Sequence, residues 1–414
     1  MRPLVLYGAG LNMLAGYKKF AVEGRLPKCI CDSDPAKACQ TKSFGDTTLE
    51  ILPIQEVLSR YPDAEFYITP NPPGKFEIIA GLLESGIGKE RIINYEPFAA
   101  TKRMSCVFLE SMLVLGNNTF GFCCNAHGAK RIPSVALSDS SGEELFAAGE
   151  QVRENAIKDL ENGTADGYCI GCSRAVATCY SNKRTIGTIT FGTGFICQFK
   201  CSYCGYAKQS AEEVLRYIKR ALAFINYLKT HGFMDEQTSI SIANGEITIN
   251  PMQNEIMEFF QNNPCVIMTN SAVYSKAIQR VLDMGKSKIF VSLDCGTENT
   301  FKLIKGVSCF TDVCDNIRRY SGHGPVDLKY ILIPGKNDDV ADIEGFMNLA
   351  ESIGATVTIS RNSVDKESFE KNIDKALSSI SYFAKCARDR GLMLIPIEHF
   401  FDGQYRDSII EALG

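Results

Sequence analysis

The stretch GTGFICQFKCSYCGY, residues 192–206, sets Cys197, Cys201 and Cys204 in a CxxxCxxC loop directly behind the β-rich run TIGTITFG. Three thiolates on such a loop can ligate three irons of a [4Fe–4S] cube and leave the fourth iron open to an exogenous ligand. A zinc site would normally want a fourth Cys or His nearby, and none follows. The loop points to a cluster with a vacant coordination position.

Downstream of it, strand and helix patterns alternate. TSISIANG, PCVIMTN, KIFVSLD, LKYILIP and TVTISR continue the series begun by TIGTITFG, and LMLIPI adds a seventh apolar run. Helical stretches are expected at 209–230, 251–262, 272–284, 338–352 and 365–389. Repeated β-α units with apolar strands imply a parallel sheet, open or nearly closed into a barrel, with reactive residues at the carboxyl ends of the strands. Those ends carry Asn244–Glu246, Asn270, Asp294 and Arg361.

Upstream, residues 1–115 read as a small α/β domain. LVLYG leads into Gly8 and Gly10, a helix follows over 11–23, and a second strand ends at Asp32. Glycines after a first strand and an acid some twenty residues on form the Rossmann arrangement, in which the turn approaches a phosphate and the acid accepts from a ribose hydroxyl. Met13 breaks the full GxGxxG pattern. A packing turn in a doubly wound domain is the competing reading.

Residues 116–186 form a cysteine-rich insert, with Cys123, Cys124, Cys169, Cys172 and Cys179 flanking one polar-faced helix from Gly142 to Gly163. The whole chain holds 17 cysteines in 414 residues. No apolar stretch is long enough to span a bilayer and no convincing export signal opens the chain, so the cytoplasm is expected. In that reducing compartment, clustered cysteines suggest metal or catalysis, while scattered ones such as Cys265 and Cys314 suit the core. A formal net charge of -4 gives no general field for nucleic acid or an anionic membrane, and neither is expected as a partner.

With these motifs the chain resembles the radical S-adenosylmethionine (SAM) superfamily over residues 187–400. The expected architecture is α/β: a Rossmann-like domain at 1–115, an auxiliary-cluster module at 116–186, and a partial (β/α)6 TIM-type barrel with a C-terminal extension at 187–414. The resemblance implies that the open iron chelates the methionine part of SAM. Reductive cleavage then gives a 5′-deoxyadenosyl radical that takes hydrogen from a substrate. It also implies an electron donor such as flavodoxin or ferredoxin.

Carried onto this sequence, Tyr203 neighbours adenine. The NGE of Asn244, Gly245 and Glu246 stands where the family commonly has GGE and would help bind the SAM amino group. Ser292 and Asp294 are expected at ribose or substrate, and Leu332, in LIPGKN, against adenine. Arg361 would meet the SAM carboxylate with its planar fork. Lys329 is a candidate to act on the substrate from inside the barrel, with a solvent-reaching lysine as the alternative. Cys295 is a candidate hydrogen donor, with core packing as its alternative.

The insert resembles auxiliary-cluster modules of the SPASM or twitch type, though those normally follow the barrel. The implied ligands of a second [4Fe–4S] cluster are Cys124, Cys169, Cys172 and Cys179. Cys123 competes with Cys124, His127 is a further candidate, and structural zinc in the same set is the alternative. Four thiolates would leave no open iron and favour electron transfer. The expected activity is that of an oxidoreductase or epimerase acting on a small polar metabolite, a sugar or sugar nucleotide. Modification of a peptide or protein and a non-catalytic iron–sulfur scaffold or redox sensor are the alternatives.

Overall fold

The structure is a computed structural model and describes residues 2–9, 13–38, 40–44, 47–70, 74–98, 102–123, 132–164, 167–172, 174–180, 183–205, 208–362, 366–397 and 405–414. It divides into two compact units. The first takes Met1–Ser111, Asn125–Ile132 and Val152–Thr185; the second takes Met112–Cys124, Pro133–Gln151 and Ile186–Gly414. These limits differ from the expected borders at 115 and 186, because the chain from Met112 onward adds a strand to the large sheet of the second unit.

In the first unit, β1 (Leu4–Tyr7), β2 (Cys29–Cys31), β3 (Thr41–Phe44), β4 (Thr47–Leu52) and β5 (Glu65–Ile68) lie in the order β3-β4-β2-β1-β5. All pairs are parallel except the β3 edge. α1 (Met13–Val22), α2 (Ile54–Arg60) and α3 (Gly74–Glu84) cover both faces. Leu4 and Leu6 pack with Phe20 and Tyr17 of α1, while Val5 and Tyr7 pack with Val57 and Ile79 of the other two helices. Alternation along β1 thus feeds two cores, as a doubly wound sheet requires. β6 (Arg103–Ser105) precedes α4 (Val107–Ser111).

The second unit is built on a sheet that begins with β7 (Met112–Gly116), β8 (Thr119–Gly121) and β9 (Val135–Ala136). After α5 (Gly142–Asn162), β10 (Val176–Thr178) belongs to the first unit, within which it pairs antiparallel with β6. Then come β11 (Thr188–Gly192), α6 (Ala211–Thr230), β12 (Ser239–Ala243), α7 (Gln253–Phe260), β13 (Cys265–Met268), α8 (Lys276–Asp283) and β14 (Lys288–Ser292). α9 (Glu298–Lys305), α10 (Phe310–Ser321), β15 (Val326–Leu332), α11 (Val340–Ser352) and β16 (Thr356–Arg361) follow. α12 (Lys366–Lys371), α13 (Ile373–Asp389), β17 (Leu394–Pro396) and α14 (Arg406–Leu413) complete the unit.

β11 to β17 are parallel neighbours in chain order, β7 lies parallel to β11, and β8 and β9 close that edge antiparallel. The strands are less uniformly apolar than expected. Ile189, Ile240, Ile267, Ile289, Leu328 and Val357 are fully buried on one face. Thr190, Ser241, Phe290, Ser292 and Lys329 occupy the other face and stay partly exposed. Helices on one face only are what a barrel wall has, and the parallel α/β arrangement is consistent with a partial (β/α)6 barrel. The helix expected at 365–389 is broken at Asn372 into α12 and α13.

Candidate functional site

The cluster loop leaves β11 at Gly192 and is fixed by its own backbone. Lys200 N–H donates to the Lys305 carbonyl at 3.0 Å and Ser202 N–H to the Ile304 carbonyl at 2.8 Å, so the loop satisfies carbonyls at the end of α9. From the other side, Glu246 N–H donates to the Ile196 carbonyl at 2.7 Å. Cys197, Cys201 and Cys204 border a cavity of about 270 Å³ together with Tyr203, Gly245, Glu246, Asn270, Ser292 and Lys305. The core motif is therefore gathered at one place with most of its expected neighbours.

Each thiol has a distinct surrounding. Cys197 Sγ accepts from Phe199 N–H at 3.4 Å and from the Asn270 amide at 3.7 Å. Burial pushes the Cys197 thiol up, and these two donors oppose it. Burial also raises Cys201, with the Lys305 ammonium acting in the opposite sense. Donors and a cation aimed at sulfur favour thiolate over thiol. Among the described residues no three His, Cys, Asp or Glu are arranged to hold a single metal ion. The three cysteines instead border one cavity, and three thiols beside an open space are the donor set that the group implied by the sequence would need.

NGE follows β12, and its geometry explains the departure from GGE. Asn244 has φ +60° and Gly245 φ +80°. Asn is among the few side-chain-bearing residues that adopt this region readily. Gly245 has no substitute, since a Cβ there would sit 1.8 Å from the Gly194 carbonyl oxygen. Glu246 is buried, and its carboxylate accepts from Thr248 N–H at 3.0 Å, Thr248 Oγ1 at 2.7 Å, Thr269 Oγ1 at 2.8 Å and Asn270 N–H at 2.6 Å. Burial raises its pKa against the pull of those donors. Its carboxylate ties the β12 and β13 ends together at the cavity rim.

Asp294 is fully buried at φ +63°. It was expected at ribose or substrate, but protein groups occupy its carboxylate. Oδ1 accepts from Ile331 N–H at 2.7 Å, and Oδ2 accepts from the Tyr203 hydroxyl at 2.5 Å and from the Lys305 ammonium. Lys305, only 2 % exposed, also donates to the Tyr203 hydroxyl and the Ser292 carbonyl, each at 2.6 Å. This buried ion pair bolts the aromatic of the cysteine loop to the end of β14. Lys305 had escaped the sequence reading. Its signal was a lysine closing a short helix between the Thr297 cap and Gly306 at φ +71°.

Two expected contacts fall on the wrong face. Leu332 pairs in register with Arg361, and both project opposite to Ser292 and Lys329. Ile331 and Ile333, not Leu332, pack with Tyr203. Arg361 is buried with its guanidinium 6.0 Å from the Phe369 ring centre and does not border the cavity. Cys295 is fully buried, points its thiol at the Leu293 carbonyl at 3.4 Å, and is likewise absent from the cavity wall. Burial raises its pKa strongly, the behaviour of a core thiol. Lys329 does share the face of Ser292.

In the first unit, Gly8 has φ +110°, and a Cβ there would meet Pro70 and Thr69 within 2.7 Å. Asp32 Oδ2 accepts from Ala9 N–H at 2.7 Å and Oδ1 from Asp34 N–H at 2.9 Å, with Lys37 at 3.3 Å. Burial would raise this carboxyl, yet those donors hold it below the ordinary range. The acid expected at a ribose therefore seals the glycine turn. Gly10 lies outside the described residues, as do Cys124 and His127.

Of the expected auxiliary ligands, Cys169 (φ +62°) and Cys172 share a turn closed by Cys172 N–H donating to the Cys169 carbonyl at 3.0 Å. β10 is extended, carrying the chain about 10 Å onward at roughly 3.3 Å per residue, and Cys179 ends in the core with Val5, Tyr7 and Phe66. Cys106 was missed by the sequence reading. It follows β6, and burial raises its thiol, offset by Leu109 and Phe108 N–H groups, with Cys172 close enough to add to the rise.

A cysteine triad stands on the loop after β11 of a one-sided parallel α/β sheet and opens to a cavity. Residues 192–350 match the radical SAM superfamily, and the chain carries a radical SAM domain. No curated protein matches the chain. Among solved structures it is similar to SuiB of Streptococcus suis bound to S-adenosylmethionine, with a TM-score of 0.40, 11% identity, and coverage of 74% of this chain and 73% of that one. It is also similar to a radical SAM methyltransferase from Sphaerobacter thermophilus, with a TM-score of 0.35, 18% identity, and coverage of 63% and 84%.

Proposed function

We propose that this chain is a radical SAM enzyme in which Cys197, Cys201 and Cys204 hold a [4Fe–4S] cluster and the adjoining cavity receives SAM. One observation carries the reading: the three cysteines, Tyr203 and the NGE turn line a single cavity at the carboxyl end of the sheet. When bound, cluster and SAM supply a carbon radical able to abstract an unactivated hydrogen. The protein's part is positional. Lys305 and Asp294 hold Tyr203, the α9 carbonyls hold the loop, and Phe195, Phe199 and Phe290 give the cavity an apolar wall that keeps water from the reacting centre.

The substrate reading is a small polar metabolite, a sugar or sugar nucleotide, taken through dehydrogenation or epimerisation. The Ser292 and Asn270 side chains on the cavity wall support a substrate with polar groups. An auxiliary cluster on Cys169 and Cys172 would accept an electron from the substrate radical.

Anaerobic incubation of reconstituted protein with SAM and a strong reductant tests the core of this reading. The expected product is 5′-deoxyadenosine, lost together with the associated iron in the alanine variants of Cys197, Cys201 and Cys204. Normal cluster occupancy and cleavage in all three variants would overturn the assignment. A filled, reduced cluster that yields no 5′-deoxyadenosine would leave a scaffold or redox sensor.

A further inference from the structure

Lys288, Lys305 and Lys329 stand near the cavity face of the large sheet, besides the exposed Lys208 on the cavity wall, and of these three Lys288 and Lys305 have a carboxylate within bonding distance. Lys288 pairs with Asp327 at 2.5 Å, and Lys305 with Asp294. Lys329 donates no hydrogen bond and makes no ion pair from its ammonium among the described residues. Its strand position is unambiguous. Lys329 is in register with Ser292 on one side and Thr358 on the other, and in-register residues of parallel strands project to the same face. The opposite face is closed by Tyr330, which packs against Phe346 and Phe383 at 5.0 and 5.3 Å.

One rung further, Ile331 is in register with Ser360. Ser360 is fully buried, and its Oγ has no hydrogen-bond partner among the described residues. A buried hydroxyl without a partner is destabilising, and a hydrogen-bonding ligand would relieve it. The nearest carboxylate is already committed, because Asp294 takes Lys305, Tyr203 and Ile331 N–H. Burial also depresses the Lys329 pKa, a sign that its charge lacks full compensation.

We propose that Lys329 and Ser360, assisted by the Thr358 hydroxyl and by Ser292, the one of the four that lines the cavity, bind an anionic group of the substrate, a carboxylate or phosphate, on the sheet face that continues the cavity wall. This rests on the reading above in taking that face as the substrate side, and it narrows the substrate to a small anionic molecule. A phosphorylated sugar and a carboxylated metabolite share the chemistry recognised here. A lysine provides a point charge with rotatable donors, and hydroxyls on adjoining strands complete the shell.

Calorimetry on the full reconstituted chain, with inorganic pyrophosphate in one series and malonate in the other, separates the two sources. One probe should saturate at a single site. Lys329→Met should weaken it by about tenfold or more, as for a lost charged hydrogen bond, while Lys329→Arg stays within about threefold. Ser360→Ala should weaken it less, and the exposed Lys302→Met not at all. No binding of either probe to the wild type, or equal binding to Lys329→Met, would overturn the proposal.

Should Lys329→Met fail to fold, acetylation of the wild type read by mass spectrometry decides. The favoured probe must protect Lys329 selectively, and absence of protection at saturation sinks the idea. Formation of 5′-deoxyadenosine by wild type without either probe reports on the radical reading alone, so the two can fail separately.

Discussion

Gly245 is the residue at which the site has least tolerance. Its φ of +80° already disfavours a side chain, and a Cβ would stand 1.8 Å from the Gly194 carbonyl of the loop that precedes the cysteines. The clash is with backbone, so relief means moving the loop. Gly245→Ala should therefore lower cluster retention sharply while leaving the helical content intact, and iron analysis beside circular dichroism checks both. Asn244→Gly should do the opposite. Asn244 holds φ +60°, where side-chain-bearing residues pay roughly 1–2 kcal/mol, and glycine removes that strain. Equal iron in wild type and Gly245→Ala would mean that the close approach is not needed for the cluster. The sequence made the cysteines and NGE legible because their spacing is rigid and local. Face assignment was harder in LKYILIP, where consecutive apolar residues conceal which ones share a side. That hidden phase put Leu332 where Ile331 and Ile333 belong, and Arg361 on the cavity side where Ser360 stands.

At the scale of elements, end signals set the helices. Ser210 caps α6: its Oγ accepts from Glu213 N–H while the Glu213 carboxylate accepts from Ser210 N–H, a reciprocal box. Ser210→Ala should cost about 0.5–2 kcal/mol, read as a lower thermal midpoint with the cluster loop unaffected. A loss of iron equal to that of a cysteine variant would instead tie this helix start to the loop. Length explains what was legible. α6 shows five turns of amphipathic pattern with a cap before it, and it was expected within two residues of its limits. α9 has only eight residues, a cap and two buried apolar positions, Phe301 and Ile304, so its periodicity is too short to stand out. Yet α9 delivers Lys305 and the two carbonyls that anchor the cysteine loop. The strands were legible as strands because β-branched residues dominate them, and their polar halves were overlooked because the apolar halves were counted first.

For the whole molecule, the number of clusters is the open quantity that one measurement fixes. If Cys169 and Cys172 serve a second centre, the wild type should carry about eight irons per chain and the double alanine variant about four. The variant should still form 5′-deoxyadenosine, with substrate turnover falling further than cleavage. Unchanged iron in a folded double variant would restrict the chain to one cluster. Cys179 is buried in the core of the first unit, so Cys179→Ala should also lower stability, read as a lower thermal midpoint. The two-faced strands have a consequence beyond any single assay. Ile189, Ile240 and Leu328 answer to the helices behind them, whereas Met268, Phe290 and Ser292 line the cavity and answer to what enters it. Inheritance can then act on the two sets separately. A lineage, or a combinatorial library restricted to every second residue, is free to explore new chemistries without renegotiating the scaffold.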